Sequence, residues 1–339
     1  MRYCLNATAL LAAALLAGII LTFSGFLVAH KIHSNIIQTA VWLPWILLCL
    51  EGFLVEGRRM AGWLCGGCLI CAYFGGHPQM AIYLTFVVLA RLVWAVCVAE
   101  TEERAKAVHR GLTVFVLVGV AGLATMVQWL PLRGLVTEGE RARPTYESSS
   151  ELSLPIEELV VDTVLPETVR LPGLDVGAEV FYWGIVTTLI ALFCIPVFRW
   201  KGPAGFYLLI AVMGGILALG DVTAAHRWAY EFIPGIAWLR ASSRWIFVVT
   251  LAVALAAGRG LDALTRDRIF SRNHVARIYL GTFGVLFLCM FFAFLLLIVL
   301  RLFIVPGQIS DSLPLLIRQI GWILLCLLLV AAAAVLYAQ

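Results

Sequence analysis

Arg240 and Arg244 stand four residues apart, a spacing that places both on one face of a helix. Guanidinium groups match the oxygens of a phosphate through paired N–H donors. The pair is therefore a candidate phosphate grip, although arginines at a membrane boundary also serve as plain headgroup anchors. His30 and His33 are three apart, and a break in a later apolar run reads Gly75-Gly76-His77-Pro78-Gln79. Imidazole and carboxamide groups can hydrogen-bond a sugar, a phosphate or a neighbouring helix. Asp221 follows directly on the apolar Leu217-Ala-Leu-Gly220. A carboxylate there is a candidate general base, or a cap for the segment that follows. Asp221 and His77 are thus the catalytic candidates, and His30, His33, Gln79, Arg240 and Arg244 the substrate-binding ones. Three histidines invite a metal reading, but H-x-x-H without a nearby carboxylate is not a zinc-protease motif. No metal ligand is assigned, and a divalent metal stays only a possible cofactor.

The elements that must position these groups are set by composition. Of 339 residues, 62% are hydrophobic and 13% charged, against roughly one-quarter charged in a soluble domain. The reading is an all-α integral membrane protein with about ten transmembrane helices. The apolar runs cover 8–29, 40–55, 61–74, 80–99, 111–130, 180–198, 204–219, 245–257, 278–305 and 317–337. The first is too long for a signal-peptide core and reads as a retained helix. Segment 24–45 joins the first two runs; its isoleucines and histidines fall on different faces, which predicts an amphipathic stretch lying along the membrane surface.

Alternate connections carry the basic residues. Arg58 and Arg59, then Arg104, Lys106 and Arg110, then Arg199 and Lys201, then Arg259 to Arg277 mark four inner loops, and Arg2 agrees. Both termini are expected in the cytoplasm, in a multi-pass protein of a bacterial plasma membrane. His30, His33, His77, Gln79, Asp221, Arg240 and Arg244 then share the extracytoplasmic side. Three regions follow: helices one to five over 1–130, a sizeable extracytoplasmic loop over 131–179, and helices six to ten over 180–339 with an outer loop at 220–244. The 131–179 loop holds ten Asp and Glu against four Arg, with five prolines. Its start, 131–153, reads as irregular chain with turns, and Pro155 as the first turn of a short helix. Glu51, Arg91 and Arg301 lie close enough to helix ends to be read as interfacial.

Other chemistries are excluded. The nine cysteines lie nearly all in apolar runs, so no structural disulfide is expected. Cys65, Cys68 and Cys71 read as small packing residues of an apolar helix. The basic residues form no stripe for nucleic acid. No Walker A, dinucleotide, G-x-S-x-G or H-E-x-x-H motif occurs.

A set of short motifs resembles the YfhO family of bacterial membrane proteins, within the GT-C glycosyltransferase superfamily. They are Phe23-Ser-Gly-Phe with His30-x-x-His33, Trp42-Leu-Pro44-Trp, Gly76-His-Pro-Gln79, Tyr146 through Ser-Leu-Pro155, Pro166, Tyr182-x-Gly184, Leu217-Ala-Leu-Gly220, Pro234-Gly235, and Leu239-Arg240 with Arg244. Their order and spacing carry the resemblance, from Phe23 to about Leu264. It implies a GT-C-like fold and a transferase that takes sugar from a polyprenyl-phosphate-sugar donor. The acceptor would be a cell-envelope polymer at the outer face, with membrane lipid as the other partner. The family's catalytic acid belongs to the first outer loop, yet 30–39 has no Asp or Glu. The chain reads as beginning inside the family pattern, without the segment that bears that acid. A transporter or flippase of a lipid-linked substrate, or a non-catalytic envelope protein, are the alternatives. A transporter would be expected to show related halves, and no internal repeat is evident.

Overall fold

The computed structural model describes residues 2–138, 144–155, 182–192, 202–233 and 235–266, with 194, 200 and 321. Among them the chain is helical, without strands. The helices are α1 Arg2–Thr22, α2 Gly25–Ala29, α3 Ser34–Ala40, α4 Trp42–Leu54, α5 Arg59–Phe74, α6 Pro78–Val98, α7 Thr101–Ala124 and α8 Met126–Glu138. After them come α9 Tyr146–Ser150, α10 Ile185–Leu192, α11 Pro203–Ala218, α12 Ala224–Phe232 and α13 Ile246–Arg266.

Four stretches are long and apolar enough to cross a membrane: Ser34–Leu54, Pro78–Val98, Thr101–Ala124 and Ser242–Ala263. A fifth results if Leu10–Thr22 and Gly25–Ile32 count as one broken span, and Arg59–Phe74 and Ala204–Ala218 are apolar but shorter. These helices fit a membrane protein. The expected runs at 278–305 and, apart from Gly321, 317–337 lie outside the described residues, as does a smaller part of 180–198.

Two expectations are corrected. After His33, α3 and α4 together are long and apolar enough to cross a membrane, so the second apolar run starts at Ser34 rather than residue 40. The physical reason is packing. Ile36, Thr39 and Ala40 are buried, because α3 lies against α5 and α6; its apolar face meets protein. The stretch expected to be irregular from Pro131 instead begins as helix α8, which contains that proline. Pro131 falls within the first two turns, where it forfeits backbone bonding without stopping the helix. Further on, α9 is set by a capping box: Thr145 Oγ1 accepts from the Ser148 N–H at 3.2 Å, and Ser148 Oγ accepts from the Thr145 N–H at 3.1 Å. The helix expected to start at Pro155 lies outside the described residues.

The chain divides into two compact units. One comprises 1–26, 156–198 and 250–339. In it α13 approaches α1 through glycine: a Cβ on Gly258 would stand 2.8 Å from the Ala13 carbonyl oxygen and 3.1 Å from the Ala17 Cβ. Ile20, Ala254 and Ala257 form a buried cluster there. Small residues that let backbones approach are the usual means of helix contact in lipid.

The other unit comprises 27–155 and 199–249 and contains every candidate residue. Its helices α4, α5, α6 and α7 pack together, with Gly62 against the Phe53 ring and Gly66 against Leu117. The unit has two distinct ends. At one, Arg110 Nη1 donates to the Leu54 carbonyl at 2.7 Å, beside Arg58 and Arg59. At the other, the His77 N–H donates to Thr39 Oγ1 at 3.4 Å. About one turn in from the Leu54 end, Arg91 donates through Nε to Glu51 Oε1 at 2.6 Å and through Nη2 to Oε2 at 2.8 Å. Arg91 is only 4% exposed. A bidentate pair thus holds α4 to α6, with the guanidinium 5.6 Å from the Phe206 ring centroid.

Candidate functional site

Gln79 is the residue on which the far end converges. It sits in the first turn of α6 and is buried. Its Nε2 donates to Tyr83 Oη at 2.7 Å, to the Ala241 carbonyl at 3.1 Å and toward the Arg240 carbonyl. Arg244 Nη1 donates to its Oε1 at 3.0 Å. A guanidinium can only donate, so the carboxamide orientation is dictated by its neighbours. Tyr83 in turn stacks on Trp245, with centroids 3.8 Å apart. Residues separated by some 160 positions thus form one cluster of polar bonds over an aromatic base.

Arg240 leans the other way, which corrects the expectation that its spacing from Arg244 sets both on one helix face. Residues 239–241 are not helical, Ala241 is left-handed, and only Ser242–Trp245 form a short helical turn. Arg240 is exposed and makes a bidentate pair with Glu151, Nε to Oε2 being 2.5 Å. This bonding to a carboxylate holds the guanidinium still more firmly in its charged form. Behind the pair, Ser242 Oγ is 3.3 Å from Ser153 Oγ, which also accepts from the Asp221 N–H at 3.1 Å. Gly220 lies between them with φ +53°; a Cβ there would fall 1.9 Å from Ser153 Oγ and 2.5 Å from Ser242 Oγ. Only glycine fits.

Backbone strain gathers at the same place. Among the described residues, the non-glycine positions with left-handed backbone are Leu152 and Ala241, both with φ 57°. Each is next to one partner of the Arg240–Glu151 pair. Such conformations cost of order 1–3 kcal/mol each and cluster at ligand-binding and switching sites.

Asp221 is exposed, in the turn that precedes α12. It faces Tyr146 and His226, both of which feel its charge. Tyr146 has its phenol pushed above the usual range by burial and then by the Asp221 charge. His226 is 3% exposed and its Nδ1 is buried without a hydrogen bond among the described residues. Burial pulls its pKa below 6.5, against the opposing pull of Asp221. Arg227 lies over the Tyr146 ring at 5.4 Å, and Tyr230 Oη donates to the Pro144 carbonyl at 3.0 Å.

The histidines have more local roles. His77 caps α6: its Nδ1 accepts from the Met80 N–H at 3.2 Å, which leaves Nε2 as the position for a proton. His30 is buried and His33 exposed, with ring centroids 5.8 Å apart. They precede α3, whose Thr39 receives the His77 N–H. No group of three His, Cys, Asp or Glu side chains that could hold a metal ion occurs among the described residues.

Sequence reasoning missed Glu151, Ser153, Ser242 and Tyr83. Glu151 was one acid among ten in a loop, and nothing local distinguishes it. Ser242 and Tyr83 carried a weak signal, since each lies next to a candidate on the same helix face or turn. No protein-family model, curated protein or solved structure matches this chain.

Proposed function

We propose that this chain is a GT-C-like membrane glycosyltransferase that takes sugar from a polyprenyl-phosphate donor at the end of the helices bearing Gln79. That end would be extracytoplasmic, and the acceptor a hydroxyl of a cell-envelope polymer. The observation that carries the reading is the junction of Gln79, Arg240 and Arg244 beside two strained backbone positions and a displaceable carboxylate. In it, Arg244 is oriented by Gln79, and Arg240 is occupied by Glu151 until a phosphate arrives. An exposed ion pair is worth only about 0.2–1 kcal/mol, so a doubly bonded phosphate can replace Glu151.

In the transfer, an acceptor hydroxyl attacks the anomeric carbon, the new C–O bond forms, and the bond to the lipid phosphate breaks with its electron pair on the phosphate oxygen. Arg240 and Arg244 stabilise that charge, and the hydroxyl proton passes to a carboxylate, for which Asp221 is the exposed candidate. His77, with Nδ1 engaged as a cap, serves as an Nε2 donor rather than a base. The test is sugar transfer in membranes containing the chain, wild type against Arg240→Ala, Arg244→Ala and Asp221→Asn. Each variant is expected to insert normally and to lose transfer, by tenfold or more for the arginines. Transfer unchanged in both arginine variants would remove them from the site, and no transfer by the wild type would remove the enzyme reading.

A further inference from the structure

At the opposite end of the same unit a groove of about 700 Å³ opens between α5 and α7. Its rim carries Arg59, Lys106, His109, Arg110 and the exposed Trp63, and its floor is apolar, with Phe53 and Leu117. Lys106, His109, Arg110 and Thr113 recur at helical spacing on one face of α7. Arg59 makes no ion pair with any described residue, whereas Lys106 is shared with Glu103 at 2.7 Å and Arg58 with Glu56 at 2.7 Å.

Arg110 is placed in advance. Its Nη1 is tied to the Leu54 carbonyl at 2.7 Å, at the C-terminus of α4. Its Nη2 lies over Gly57, where a Cβ would stand only 2.6 Å away. Gly57 has φ +71°, a turn that favours glycine, and the missing side chain leaves room for the guanidinium. One nitrogen thus anchors the group, and the rest faces the groove. Beyond the rim the exposed flanks are apolar: Met60 and Leu64 on α5, Leu112 and Val116 on α7. Trp63 is 70% exposed between charge and apolar flank, the position in which tryptophan meets lipid headgroups.

We infer that this groove binds the phosphate headgroup of an anionic membrane lipid, with Arg59, Lys106 and Arg110 on the phosphate and the acyl chains along the flanks of α5 and α7. Free inorganic phosphate shares the charge but would leave the apolar floor and flanks unused. The inference is independent of the transfer reaction, whose residues lie at the other end.

The experiment uses the purified full chain in neutral detergent. Thermal stabilisation and lipid retention in native mass spectrometry are measured with phosphatidylglycerol, phosphatidylcholine or inorganic phosphate. Phosphatidylglycerol is expected to be retained and to stabilise, phosphatidylcholine and phosphate not. The Arg59→Gln/Lys106→Gln double variant removes two exposed charges and should weaken phosphatidylglycerol binding roughly thirtyfold. Equal effects of the two lipids in the wild type would overturn the site, as would phosphate matching phosphatidylglycerol. So would a double variant that keeps wild-type affinity.

Discussion

Single residues decide whether the clasp around Gln79 can form. Gly220 is the least replaceable, because a side chain there meets two serine hydroxyls and a left-handed backbone at once. Gly220→Ala should cost about 1–2 kcal/mol for the backbone alone, read as a lowered Tm of the purified protein. His226 supplies a pH dependence whose sign is fixed by burial. Its folded pKa is depressed, so the unfolded chain binds the proton more readily, and stability falls as pH drops below 6.5, the ordinary histidine value. The fall should be visible in thermal denaturation between pH 7.5 and 5 and should flatten in His226→Gln. Glu51 and Arg91 form a bidentate pair in which the guanidinium is almost wholly buried. Removing one partner of a buried pair leaves an uncompensated charge, at about 3–5 kcal/mol. Glu51→Ala is accordingly expected to lower Tm more than any exposed substitution, and a Glu51→Gln/Arg91→Met double variant to recover most of the loss.

At the scale of elements, two apolar runs were legible because their boundaries coincide with real breaks, whereas the run expected at 111–130 crosses the break at Thr125 between α7 and α8. The run expected at 80–99 is α6, Pro78–Val98, started by a proline and a histidine cap. The run at 204–219 is α11, Pro203–Ala218, again opened by proline. Legibility failed where packing rather than composition set the outcome. Ile36 on α3 reads as lipid-facing by periodicity, but it is buried among neighbouring helices. Pro131 reads as a stop, yet α8 runs through it. The pairing of Glu51 with Arg91 was not legible, because only the packing of α4 against α6 brings them together. The hook at 240–245 is similar: Ala241 in a left-handed conformation is unreadable from its type. Ala241→Gly should relieve that strain, raising or preserving Tm while loosening the carbonyl that Gln79 holds. That predicts weaker sugar transfer without loss of folded protein.

Among the described residues of one helical unit, polar groups concentrate at its two ends, with the Glu51–Arg91 pair buried in the largely apolar body between them. The candidate site was partly visible in advance: Gln79, Arg240 and Arg244 do meet, although 165 positions separate the first and last. Their counter-charge, Glu151, was hidden because only the folded chain selects it from the acids around it. This arrangement makes the Arg240–Glu151 pair the control point of the proposed activity, since donor phosphate and carboxylate compete for one guanidinium. Binding of a polyprenyl phosphate to the purified chain tests that claim most directly, compared among wild type, Glu151→Gln and Arg240→Ala. The account predicts tighter binding than wild type in Glu151→Gln and weaker binding in Arg240→Ala. Equal affinities in all three, or weaker binding in Glu151→Gln, would contradict it.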